Sequence, residues 1–148
     1  MPGIVVGVDG SEHSRHALSW AMREAAQHRL PLTVITVRRT KVHPATEIYW
    51  PRPGYPDGTS LDEEGARKAV RKMVDEAAAE TGEPVPDVTV TVTTGNPAEE
   101  LVRASRDADM LVVGSHGSGG FATLLLGSVS SQVVHHAAGP VVVVRVPY

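Results

Sequence analysis

A chain of 148 residues, 41% hydrophobic and 21% charged, is long enough to bury one sizeable core and too short for two. Its net charge of −3 argues against general nucleic-acid affinity, and the absence of cysteine excludes disulfides and thiolate metal sites. No apolar run approaches a membrane span, and no basic segment precedes an apolar one at the start, so a cytoplasmic protein forming one domain over residues 1–148 is expected.

In chain order, residues 4–8 are a short apolar run ending in Asp9-Gly10-Ser11, the pattern of a strand followed by a turn and a helix cap. Residues 12–29 repeat Ala17, Leu18, Ala21, Met22, Ala25 and Ala26 at helical spacing, and residues 32–37 form a second apolar strand. Residues 38–60 break the pattern with prolines, glycines and the aromatics Tyr49, Trp50 and Tyr55; a lid or contact surface is expected there. An amphipathic helix follows over 61–81, stopped by Gly82.

Residues 88–94 alternate valine and threonine, which suits an edge strand with one wetter face. Asn96-Pro97 opens a helix reaching toward Asp107, with Glu99 and Glu100 favoured in its first turn by the helix dipole. Residues 110–113 are the fourth strand, 129–137 the last helix and 141–146 the fifth strand. Strand and helix alternate throughout. The expected fold is an α/β, open, doubly wound parallel five-stranded sheet with helices on both faces. With the third strand at an edge the order is 3-2-1-4-5. The order then reverses between strands one and four, where such sheets bind ligands.

The carboxyl ends of those two strands carry Asp9-Gly10 and the glycine-rich run from Gly114 to Ser130. Glycines let a backbone approach a phosphate closely, and a helix opening just afterwards offers unpaired N–H groups at its positive end. The pattern points to a nucleotide or another phosphorylated small molecule. Ser128 is positioned to cap the last helix, with the N–H groups of Val129, Ser130 and Ser131 facing an anion. For Asp9, hydrogen bonding to a ligand competes with a turn or capping role. His13, His16, His135 and His136 read as surface or helix-end histidines, because no cluster of three or four ligands is evident. His116, inside the glycine loop, is either a ligand contact or a structural hydrogen-bond partner.

Other phosphate and nucleophile motifs fit worse. Gly117-x-Gly119-x-x-Ala122 matches a dinucleotide fingerprint on paper, but Gly127 interrupts the required helix and no acidic residue follows to read a ribose. No Gly-Lys-Ser/Thr and no Gly-x-Ser-x-Gly occurs.

Gly114, Gly117, and then Gly127-Ser128 give the spacing Gly-x2-Gly-x9-Gly-Ser, which resembles the ATP-binding universal stress proteins. The opening Val-Val-Gly-Val-Asp-Gly-Ser and the closing Ala-Gly-Pro-Val-Val-Val-Val resemble that family too, so the likeness covers the whole chain. It implies an adenine nucleotide alpha hydrolase-like fold and an ATP site. Asp9 would bond the adenosine part, Val37 would line the adenine pocket and Gly114 would pack on the ribose. Gly117, Gly127, Ser128 and Ser130 would hold the phosphates; Val129 through its N–H and His116 from the glycine loop join them as candidates on physical grounds alone. The resemblance also implies a homodimer through the strand from Val141 to Val146, whose uniformly apolar edge needs a cover.

One departure stands out: residues 110–144 contain no Asp, Glu, Lys or Arg, and Ser118 occupies a position where the family often has a basic residue. A triphosphate would then lean on a divalent ion such as Mg²⁺, with Arg38 and Arg39 as other sources of charge. No general base, activated nucleophile or transition-state cation is evident. A nucleotide-dependent stress-response sensor or switch is expected ahead of a slow metal-assisted ATP phosphohydrolase or a dimeric interaction module that binds no nucleotide.

Overall fold

The computed structural model describes residues 3–38, 62–82, 84–85, 87–116 and 127–146. Strands β1 (Ile4–Gly7), β2 (Leu32–Arg38), β3 (Val88–Thr94), β4 (Met110–Gly114) and β5 (Val141–Val144) alternate with helices α1 (Glu12–His28), α2 (Glu63–Thr81), α3 (Pro97–Ser105) and α4 (Ser128–His136). All strand pairings are parallel and the order is β3-β2-β1-β4-β5. The doubly wound sheet read from the sequence is the observed one.

The sheet is buried on both faces, so alternate residues of each strand enter different cores. Ile4, Val6, Leu32, Val34 and Val112 pack with α1 and α2, including Leu18, Met22, Val70 and Met73. Val5, Ile35, Leu111 and Val113 pack with Ala98 and Leu101 of α3 and Val133 of α4. Ala26, placed inward by helical spacing, is only half-buried at the margin of the core.

Element ends differ by a residue or two from expectation. β5 stops at Val144, not at 146, because its partner β4 ends at Gly114 and nothing pairs beyond it. α2 starts at Glu63 behind an Asp62 cap. The expected lid at 38–60 lies outside the described residues except for Arg38, which ends β2. Among the described residues no helix is long and apolar enough to cross a membrane.

Candidate functional site

The chain leaves β1 toward one face of the sheet and β4 toward the other, which opens a crevice between their carboxyl ends. The crevice encloses about 530 Å³, its open mouth included. Ile35 and Val37 at the end of β2, Val113, and Pro97 and Leu101 of α3 give it an apolar wall, and Asp9, Val129 and Ser130 line it as well. Leu101 comes this close because β1 ends in a glycine: a Cβ on Gly7 would meet its methyl groups at 2.9 Å.

Gly114 plays the same part for α1. A Cβ there would lie 2.8 Å from the carbonyl carbon and oxygen of His13, so only glycine lets the first turn of α1 settle on the end of β4. That approach assembles a cluster that spacing alone does not reveal. His13 Nδ1 lies 3.0 Å from Ser115 Oγ, which lies 3.2 Å from His116 Nδ1, and the two rings are 4.8 Å apart. The surface or helix-end placement expected for His13 is therefore corrected. It is half-buried at the site, because the sheet order brings residues about a hundred apart in sequence side by side. Burial lowers the His13 pKa from 6.5, and His116 lowers it further against the opposing pull of Asp9 and Glu12. His116 lines the crevice, and its buried Nε2 has no partner among the described residues.

Asp9 orders the turn that opens the site. Its Oδ1 accepts from the Ser11 N–H at 2.9 Å, while its own N–H donates to Ser14 Oγ at 3.3 Å. The cap of α1 is Ser11, whose Oγ accepts from the Ser14 N–H at 3.2 Å, so the carboxylate shapes the turn without capping the helix.

The start of α4 differs from expectation. Ser128 does not cap it; the cap is Gly127, which has no side chain to offer, and Ser128 is the first helical residue. The N–H of Ser131 is already spent on Gly127 O at 2.9 Å, and that of Gly127 on Ser115 O at 2.7 Å. The Ser130 hydroxyl donates to the Ser115 and Gly127 carbonyls at 3.0 and 3.1 Å, so any contact from Ser130 to an anion falls to its backbone N–H. Helix geometry leaves the N–H groups of Ser128, Val129 and Ser130 without an intrahelical partner. By contrast α1, α2 and α3 each cover their first turn with a side chain, from Ser11, Asp62 and Asn96.

Of the residues singled out by sequence, Asp9, Val37, Gly114, His116, Val129 and Ser130 line one crevice. Gly127 and Ser128 lie at the helix start beside it, and Gly117 is outside the described residues. Sequence reasoning passed over His13, Ser115, Pro97 and Leu101. No group of three or more metal-ligating side chains occurs among the described residues.

A model of the universal stress protein family matches residues 2–145. The chain belongs to the universal stress protein family. A universal stress protein of Mycolicibacterium smegmatis is 40% identical over 97% of this chain and 48% of its own length. The chain thus spans about half the length of the curated relatives it matches. UspA from Lactobacillus plantarum superposes with a TM-score of 0.74 at 24% identity, over 96% of both chains. A universal stress protein solved in complex with cAMP is 28% identical with a TM-score of 0.64, over 95% of this chain and 94% of that one. One from Archaeoglobus fulgidus in complex with dAMP shares the fold at a TM-score of 0.63 and 20% identity, over 97% of this chain and 98% of that one.

Proposed function

We propose that this protein, read as one universal stress domain, binds an adenine nucleotide, ATP foremost, and signals through the occupancy of the crevice. The observation that carries the reading is the division of labour along its walls. Ile35, Val37, Pro97 and Leu101 suit an adenine ring, and Asp9 suits ribose hydroxyls or the base amino group. The uncapped first turn of α4 suits phosphate oxygens. Glycine at 114 lets the first turn of α1 close against the end of β4, which holds His13 beside the crevice. A relative bound to cAMP is in keeping with this division.

Asp9 is the one carboxylate among the described lining residues, and no lysine or arginine joins it. A Mg²⁺ ion would therefore be carried mainly by the triphosphate and water, with Asp9 the one carboxylate near it; it would neutralise phosphate charge. With no fixed cation there to stabilise a transferring phosphoryl group, turnover is expected to be slow, and occupancy rather than hydrolysis is the signal. β5, at the edge of the sheet with all four valines half-buried, supports a homodimer paired along that edge.

The test is release and rebinding. Protein purified without nucleotide is denatured and the released small molecules identified by mass spectrometry. The emptied protein is then titrated with ATP. Saturable binding, weakened by EDTA and lost in Val37→Trp, which fills the apolar wall, is expected. Absence of any binding with Mg²⁺ present would leave the crevice as scaffold and favour an interaction module; equal affinity with and without EDTA removes the metal.

A further inference from the structure

The nucleotide reading leaves a charge unaccounted for. Any nucleoside phosphate brings at least one full negative charge to a crevice with no lysine or arginine among its described lining residues. Beside that crevice, three side chains are bonded in a row, with Ser115 Oγ 3.0 Å from His13 Nδ1 and 3.2 Å from His116 Nδ1. Ser115 is buried, which fixes the row in place.

A hydroxyl carries one proton, and a neutral imidazole carries one N–H. Ser115 can donate to only one of the two Nδ1 atoms, so the other ring must donate to Ser115 if both bonds are made. When His13 Nδ1–H donates to Ser115 and the hydroxyl donates onward to His116 Nδ1, the remaining proton of His116 sits on Nε2. That atom is the buried one with no partner among the described residues, in a ring that lines the crevice. In that arrangement it is a donor with no acceptor among the described residues, at the place where the nucleotide reading puts an anion.

We propose that His13, Ser115 and His116 form a relay that recognises the ligand's phosphate, His116 Nε2–H donating to a phosphate oxygen while the histidine pair takes up a proton. The proposal rests on the nucleotide reading and deepens it: the site selects phosphorylated over unphosphorylated nucleosides, and most strongly in mild acid. His116 touches the ligand; His13 and Ser115 position it and share the charge.

The surroundings set the sign. Asp9 in the turn after β1 and Glu12 on α1 favour a charged His13, while His16 on α1, His116 and burial oppose it. Of α4, Val129 and Ser130 line the crevice, and β5 carries only valines, none of them titratable. Burial and the paired histidine thus hold the empty site short of a proton. A bound anion offsets both, so binding draws a proton in and tightens as pH falls.

Cyclic AMP is the probe, because its phosphodiester keeps one charge throughout this range and adds no titration of its own. Adenosine is the control without phosphate. From pH 8 to pH 6 the affinity for cAMP is expected to rise about tenfold, within the limit of tenfold per pH unit for one linked proton. Adenosine affinity should not change. Calorimetry in two buffers of different ionisation enthalpy should show proton uptake with cAMP alone. His116→Gln should lower cAMP affinity several-fold toward that of adenosine, with the α4 N–H groups still in place, and should remove the rise in acid. His13→Gln, whose amide can still donate to Ser115, should retain binding with a flattened pH profile. Circular dichroism checks that both variants fold. If cAMP and adenosine bind and neither responds to pH, or if the response survives in both variants, the relay is overturned and the nucleotide site stands. If ATP, cAMP and adenosine all fail to bind at every pH, the nucleotide reading falls and the relay with it.

Discussion

Gly114 links packing to chemistry at a single atom. A methyl group there would press on the His13 carbonyl, which is backbone inside a helix and has no rotamer to escape into. Gly114→Ala is expected to cost about 1–3 kcal/mol, the usual range for overpacking, and to push the first turn of α1 off β4. Urea unfolding measures the loss, and loss of the His13–His116 coupling in histidine NMR titrations reports the displacement. His13 itself makes a second prediction. Its folded pKa is lowered below 6.5, so the unfolded chain binds more protons as pH falls through 6.5. Stability should therefore decline from pH 6.5 toward the lowered value, and His13→Gln should flatten that limb of a stability-against-pH curve. The glycine could be picked out from spacing; its reason could not. Ser115 and His13 are 102 residues apart, and only the adjacency of β1 and β4 makes them neighbours. The sheet order is legible in the sequence, and that order alone sets the residue that opens α1 beside the residue that follows β4.

Among the helices, caps separate what holds the fold from what serves the site. Asn96 accepts from the Glu99 N–H at 3.1 Å and starts α3, the helix that brings Pro97 and Leu101 to the crevice. Asn96→Ala should cost about 1 kcal/mol, the usual worth of such a cap, seen as a lower urea midpoint at unchanged slope. Sequence patterning located this cap correctly because Asn-Pro followed by two glutamates has few other uses. It misassigned the cap of α4 for a physical reason. Serine is a good capping residue, and nothing in Gly127-Ser128 shows that the chain turns one residue earlier, leaving the hydroxyl outside the capping position. Strand ends were misjudged in the same way, since β5 stops where β4 stops and not where its own apolar run does.

For the whole molecule, the open question in the fold is the edge along β5. Pro140 O accepts from Leu111 N–H and Val144 O from Ser115 N–H, each at 3.0 Å, so the even-numbered residues of this strand face β4. Backbone groups alternate sides along a strand, which turns those of Val141 and Val143 outward at the edge. A second copy related by a twofold axis would satisfy them in an antiparallel ladder and cover the half-buried valines at once. Val143→Pro discriminates cleanly, because proline removes an outward N–H while leaving the β4–β5 ladder in place. Sedimentation should then show the wild type as a dimer and the variant as a folded monomer, with its circular dichroism unchanged. Nucleotide binding should survive in that monomer, since no residue of β5 is among the described lining residues of the crevice. A variant that remains dimeric at micromolar concentration would move the interface away from β5, and a monomeric wild type would leave that edge to a different cover.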